Sequence, residues 1–461
     1  MLFTTPQFFL FLAVVLVLFY TLPRATRKPM LLLASYFFYA SWNWKFIPLL
    51  LGLTIVDYLA ALWMAKVDAR WRKPVLVVSL VANLGFLAFF KYYNFLADNL
   101  AQALGKTGHP FALSIVLPLG ISFHTFQSMS YVVDVYRNEQ EPVRNFLDYA
   151  LFVAFFPQLV AGPIVRAKEF FVDLFHWRRP THEEWLSGVA LIALGAAKKM
   201  VLADQMSRVA DAYFGHLPDH PGLVAAWSGV FAFAMQIFFD FSGYTDMAIG
   251  MARLFGFHFP VNFRRPYLAE SVTEFWRRWH MSLSRWLRDY LYIPLGGNRG
   301  GTLATYRNLM LTMLLGGLWH GASWNFVIWG GYHGALLSTE RALGVEPGKR
   351  GLLYPVRMLV TFVLVSIGWV FFRAANLHDS LWVIRELFLG ARVGRLMQPA
   401  WLTALIVVAL VIAFCEEAYG WFDRIASAPA WSYVVTIVLL LFGIELLSVA
   451  DANIPFVYFQ F

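Results

Sequence analysis

The sequence predicts an all-α protein threaded repeatedly through a membrane, with about eleven to thirteen spanning or re-entrant helices at roughly twenty residues each. Three observations lead there. Of 461 residues, 59% are hydrophobic and 18% aromatic, while only 14% are charged, against about 25% in an average soluble domain. Apolar runs continue from the first residues to the last and leave no room for a separate soluble module, so one membrane domain is expected over residues 1–461. Long alternating ten-residue strands are absent. A backbone that finds no hydrogen-bond partner in lipid must then satisfy itself in helices rather than in a barrel.

At roughly twenty apolar residues per crossing, candidate spans fall near 6–22, 30–42, 46–65, 74–90, 111–134, 146–162, 186–203 and 223–252. After a long interruption, more follow near 305–318, 323–339, 354–372, 401–415 and 431–449. The runs at 146–162 and 305–318 are short or glycine-rich and also read as re-entrant segments buried in protein. No basic residue precedes the stretch from Phe8 to Leu22, whereas Arg24, Arg27 and Lys28 follow it. That order predicts a retained first span with its N-terminus outside the cytoplasm, not a secretion signal. The basic groups at 24–28 and at Lys66, Arg70, Arg72 and Lys73 are both cytoplasmic if the chain turns on the other side near Ser41 to Trp44. Beyond residue 140 the loop from Arg166 to Arg179 and the pair Lys198, Lys199 assign to neither side.

The net charge of +9 follows from the gathering of Arg and Lys on cytoplasmic loops, so no nucleic-acid partner is expected. The single cysteine, Cys415, lies in an apolar run and has no partner for an internal disulfide or a thiolate metal site. No inverted repeat and no Ser/Gly-rich linker divides the chain, which counts against an ordinary secondary transporter. The absence of an Asp-x-Asp motif counts against a polytopic glycosyltransferase.

Between Arg264 and Arg307 the composition changes. Eight arginines, no lysine and only Glu270, Glu274 and Asp289 leave +5 in a stretch that also carries Trp276, Trp279 and Trp286. An Arg at the bilayer centre costs roughly 3 kcal/mol on insertion scales, so this segment does not cross the lipid. From Val272 to Ile293 the spacing is helical, with Thr273 available as a cap and no Gly or Pro inside. One helix is expected there, with Trp276, His280 and Ser284 on one face. Its arginines read as an interfacial anchor or as a docking surface for a phosphate-bearing donor, since guanidinium forks bind phosphate bidentately. His280 itself reads as a satisfied interfacial histidine or as a functional one. Pro294, Gly296, Gly297 and Gly300 end the helix in a loop whose backbone can approach another group closely.

The run Leu315-Gly316-Gly317-Leu318-Trp319-His320-Gly321 places an ionisable residue among glycines inside an apolar stretch, which marks a functional position. A buried histidine bonded to a backbone carbonyl is the bland alternative. His333 lies thirteen residues on, about 220° around a helix. Helical zinc sites need His at i and i+3 or i+4, so no metal site is expected. Asp240, Ser242, Tyr244 and Asp246 are polar within an apolar segment and either line a passage or tie helices together.

These motifs resemble the membrane-bound O-acyltransferase family, in particular its bacterial branch of alginate O-acetylation proteins and teichoic acid D-alanyl transferases. The resemblance covers nearly the whole chain. It is carried by FFDFSGYTDMAIG at 238–250, by FRRPYLAESVTEFWRRWHMSLSRWLRDYLYIPLGGNR from Phe263 to Arg299, by LLGGLWHGASWNF ending at Phe326, and by the terminal Pro455 to Phe461. It implies helices in a ring around a thin central partition crossed by a funnel or tunnel. It also implies a catalytic histidine at His320 and a second functional residue at His280.

The function expected from the resemblance is acyl transfer. Acetyl-CoA is the expected cytoplasmic donor, with no bound cofactor, and an extracytoplasmic polysaccharide such as alginate is the acceptor. An extracytoplasmic, esterase-like partner protein completes the transfer, and the bacterial inner membrane is the location. A hydroxyl is a poor nucleophile while protonated, and a neutral imidazole suits the task of base. His320 is therefore expected as general base, His280 on the donor side, and Arg277, Arg278 and Arg285 as contacts to donor phosphate. D-alanyl transfer from a carrier protein to teichoic acid is the alternative within the family. A transporter or channel for acyl donor or polymer is the alternative outside it.

Overall fold

The computed structural model describes residues 1–160, 162–345, 352–391, 396–419, 429–449, 454, 456 and 457. Among them every regular element is helical, as expected of a chain that must close its backbone hydrogen bonds without water. Five helical stretches are long and apolar enough to cross a membrane: Arg24–Met64, Ala69–Ala103, His182–Gly215, Leu223–Leu254 and Tyr354–Arg373. Pro6–Thr21, Ala400–Cys415 and Trp431–Leu447 are apolar but shorter. The described residues form two compact units, Met1–Gly188 with Met247–Pro260, and Val189–Asp246 with Val261–Phe461.

The first unit begins with α1 (Pro6–Thr21), α2 (Arg24–Asn43), α3 (Ile47–Met64), α4 (Ala69–Leu87) and α5 (Tyr93–Ala103). It continues with α6 (Ile121–Tyr136), α7 (Phe146–Ala154), α8 (Phe156–Leu159) and α9 (Ala167–Phe175). Proline in the first turn suits the starts of α1 and α3, where its missing N–H is no loss. The run at 146–162 is not a crossing. At 1.5 Å per residue the nine residues of α7 extend about 14 Å, half of the roughly 30 Å hydrocarbon layer. Tyr149 to Phe156 are enclosed by protein on every side. The span expected at 111–134 is helical only from Ile121. Phenylalanines fill the core, with Phe257 4.9 Å from both Phe155 and Phe170 between ring centres.

The helices that follow are α10 (His182–Ala197), α11 (Asp204–Gly215), α12 (Leu223–Leu254), α13 (Val272–Arg278), α14 (Met281–Leu287) and α15 (Gly301–His320). The remainder are α16 (Trp324–Ala342), α17 (Tyr354–Arg373), α18 (Leu377–Leu389), α19 (Ala400–Tyr419) and α20 (Ala430–Leu447). A π turn, Lys198–Ala203, joins α10 to α11. It turns Lys199 inward, where its Nζ lies 2.7 Å from Asp204 and 2.8 Å from Asp240 of α12. Lys198 pairs with Asp246 of α12 at 2.6 Å. The two acidic positions of that polar run thus tie helices together. Asp240 also accepts the Val457 N–H at 2.5 Å. Of the terminal stretch Pro455 to Phe461, only Phe456 and Val457 are among the described residues.

The single helix expected over 272–293 is broken, and the shared face of Trp276, His280 and Ser284 is lost with it. Ser271, not Thr273, caps α13 by accepting the Glu274 N–H. The helix ends at Arg278, and His280 adopts the left-handed conformation, φ 42° and ψ 54°. The strand of chain before α13 takes over the hydrogen bonds that the break releases. Asn262 O accepts the Met281 N–H at 2.8 Å, and Arg264 N–H reaches Arg278 O at 2.9 Å.

Candidate active site

The second unit builds a pocket around the end of α15. Helices α15 and α16 form a hairpin whose backbones touch. A Cβ on Gly317 would lie 2.2 Å from Phe326 O, and one on Gly330 would lie 2.3 Å from Met313 O. Glycine is the only residue that permits this approach. His320 is the last residue of α15, and Gly321 leaves the helix in an extended conformation at φ −161°. The imidazole is 6% exposed and packs edge-on against Trp319, Trp329 and Phe372 at 4.9, 5.1 and 5.2 Å.

His320 borders a cavity of about 190 Å³. Its wall is largely apolar and includes Trp276, Leu283, Leu287, Met313, Gly316 and Trp329. Ser284, Thr312, Arg288 and Tyr292 also line it, and among the described residues no carboxylate does. Arg288 is exposed and ion-paired to Asp289 at 2.6 Å. An imidazole beside an oily pocket that lies near a cation is an arrangement able to hold an acyl chain while a hydroxyl is deprotonated next to it.

His280 does not line this cavity. It is fully buried between α13 and α14, with Nδ1 3.2 Å from Asn262 Oδ1 and the edge of Phe241 4.7 Å away. Its ring centre is 6.2 Å from that of Trp319, the residue flanking His320. Burial in this apolar setting pushes its imidazole down to about 3, because the charged form has lost its water.

The three arginines expected at donor phosphate stand outside the cavity wall too. Arg277 is exposed at the end of α13, and Arg285 is half-buried on α14. Arg278 is ion-paired to Glu274 one turn back. The arginine that does reach the cavity is Arg288. Its presence in the basic segment was visible in the sequence, but nothing in a regular helical spacing distinguished it from its neighbours. Among the described residues no cluster of three or more His, Cys, Asp or Glu is placed to hold a metal ion.

Sequence reasoning placed His333 away from His320 by counting along one helix. The helix is interrupted at Gly321 to Ser323, so the two histidines stand on different helices and flank the same indole. Trp329 is 5.1 Å from His320 and 5.0 Å from His333. Glu340, in the last turn of α16, was also missed. Its carboxylate accepts the backbone N–H groups of Val272 and Thr273 at 2.5 and 2.8 Å and the Thr273 hydroxyl at 2.8 Å. This clamps the start of α13 to α16, where a carboxylate complements the helix dipole.

Residues 75–345 match the membrane-bound O-acyltransferase family. The chain is 46% identical to the probable alginate O-acetylase of Pseudomonas aeruginosa over 91% of its own length and 81% of that protein's. With the probable alginate O-acetylase of Pseudomonas putida it shares 43% identity over 98% of both chains. With the peptidoglycan O-acetyltransferase of Helicobacter pylori it shares 39%, over 84% of its own length and 79% of that protein's. Together with the all-helical fold and the apolar pocket beside His320, these likenesses place the chain in the membrane-bound O-acyltransferase family, as a multi-pass membrane enzyme that transfers acyl groups to oxygen.

Proposed function

We propose that this O-acyltransferase takes acetyl from acetyl-CoA on the cytoplasmic side of the bacterial inner membrane. The acetyl group serves O-acetylation of an extracytoplasmic polysaccharide such as alginate. An esterase-like partner outside the membrane completes the transfer. The observation that carries this reading is the position of His320 at the wall of a largely apolar cavity. Its imidazole takes the proton of the acceptor hydroxyl as the oxygen attacks the thioester carbonyl. The C–S bond then breaks, and the thiolate leaves with the proton returned by the imidazolium. Arg288, at the exposed part of the wall, is the arginine best placed for donor phosphate, with Arg277, Arg278 and Arg285 contributing positive potential from outside it. His280 acts through Trp319 and not on the donor, and is a positioning residue in this scheme.

The lining also favours acetyl over D-alanyl. A D-alanyl group carries an ammonium, and burying that charge without a carboxylate partner is costly; among the described residues no Asp or Glu lines the cavity. Purified protein incubated with labelled acetyl-CoA and candidate glycan acceptors tests the proposal. His320→Ala is expected to lower transfer by about 10² to 10⁴, the usual worth of a general base. Transfer at the wild-type rate by that variant would remove the base assignment. Saturable flux of donor or polymer through vesicles without any transfer would replace the enzyme reading with a transporter.

A further inference from the structure

Another buried histidine stands behind the cavity wall, and the transfer chemistry makes no use of it. His333 of α16 is 0% exposed. Its Nδ1 accepts a hydrogen bond from the Trp276 indole Nε1–H at 3.4 Å. An indole N–H only donates, so Nδ1 is the unprotonated nitrogen and the ring proton is on Nε2. Nε2 has no hydrogen-bond partner among the described residues, and it faces Gly368, where a Cβ would come within 2.9 Å of it. The rings of Trp329, Trp276 and Tyr332 box the imidazole at 5.0, 5.2 and 5.5 Å.

Filling such a box does not require an imidazole, because a phenyl ring would do so without burying an unsatisfied N–H. What a phenyl ring lacks is an acceptor for Trp276. That indole is part of the cavity wall, as is Trp329, which touches His320. The two ends of the Trp276 support are therefore both on α16: Glu340 holds the start of its helix, and His333 holds its ring. Gly368 provides the space that lets His333 sit close enough to do so.

We infer that His333 is a positioning residue whose Nδ1 fixes the Trp276 indole as a wall of the cavity beside His320, and thereby restricts the enzyme to short acyl groups. The inference rests on the acyl-transfer reading above. It predicts a change in selectivity and not merely in rate, since a displaced indole widens the pocket, whereas a general loss of folded enzyme lowers all substrates alike.

The test compares acetyl-CoA with butyryl-CoA as donors for purified full-length protein and reads the ratio of the two transfer rates. Asparagine places its amide oxygen near the Nδ1 position, and glutamine near Nε2. His333→Asn is expected to keep the wild-type ratio. His333→Ala and His333→Gln are expected to lower the acetyl preference by about tenfold, the lower end of what a pocket contact of this size discriminates. Trp276→Phe, which keeps a ring but deletes the donor, is expected to match His333→Ala, and the double variant to fall no further than either. Should His333→Ala not fold, Trp276→Phe reads the same wall. A wild-type ratio in Trp276→Phe or in folded His333→Ala would overturn the inference, as would a loss in His333→Asn as large as in His333→Ala. Wild-type protein that transfers neither acyl group would instead overturn the acyl-transfer reading itself.

Discussion

His280 holds a left-handed backbone conformation that costs a non-glycine residue on the order of 1–3 kcal/mol. A side chain eighteen residues upstream helps to keep it there. Asn262 Oδ1 accepts the Ser282 N–H at 3.1 Å and the Ser282 hydroxyl at 2.8 Å, and lies 3.2 Å from His280 Nδ1. Asn262→Ala is expected to destabilise the protein by about 2 kcal/mol or more, because buried donors would lose their acceptor; thermal unfolding in detergent measures it. The histidine was legible as a residue to watch, but its surroundings were not. Nothing between 272 and 293 is a Gly or Pro, so no local signal marks the break, which a tertiary contact imposes. Its burial has a consequence for acid stability. In the unfolded chain the imidazole titrates near 6.5, and in the folded protein only near 3. Below pH 6.5 the unfolded state therefore takes up a proton that the folded state refuses, so stability is complete above that pH and falls as pH drops toward 3. His280→Asn is expected to flatten the fall of unfolding midpoint between pH 6.5 and 4, and a variant with the wild-type slope would contradict this.

At the scale of elements, the α15–α16 hairpin sets where His320 stands. The glycines around that residue in the sequence signalled a close approach, and the structure assigns each a partner. Gly330 faces Met313 O, whereas the neighbouring Gly331 has nothing nearer its Cβ position than Leu314 Cδ2 at 3.5 Å. Gly330→Ala is therefore expected to force the helices apart at a cost of about 1–3 kcal/mol and to lower transfer with it. Gly331→Ala makes an ordinary contact and is expected to leave both thermal midpoint and transfer near wild type. Equal behaviour of the two variants would show that the hairpin spacing does not control the site. Helix α7 was less legible, because a short buried helix and a short crossing have the same apolar composition. Its burial and its nine-residue length decide the matter only once the neighbours are in place.

Over the whole molecule, charge is what the sequence made easiest to read and also where it misled. Lys198 and Lys199 resisted assignment to either side of the membrane because they are not loop charges at all; they pair with Asp246, Asp204 and Asp240 inside the protein. Removing Lys199 would leave two buried carboxylates without their cation, so Lys199→Met is expected to cost about 3–5 kcal/mol of stability. The basic groups near the N-terminus behave differently. Arg70 has 78% of its side chain exposed, and Trp44, in the turn between α2 and α3, is 67% exposed. Helix α3 has 18 residues, about 27 Å at 1.5 Å per residue, close to the roughly 30 Å needed for one crossing. The two positions are then expected on opposite faces of the membrane, with Arg70 expected on the cytoplasmic one by the distribution of Lys and Arg. Because Cys415 is the only cysteine, a Cys415→Ser background allows each face to be probed with a single thiol. A membrane-impermeant maleimide is expected to label Trp44→Cys in intact spheroplasts and Arg70→Cys only in inverted vesicles. Labelling of both from the same face would mean that α3 does not cross, and that the basic clusters on either side of the α2–α3 pair do not share the cytoplasm.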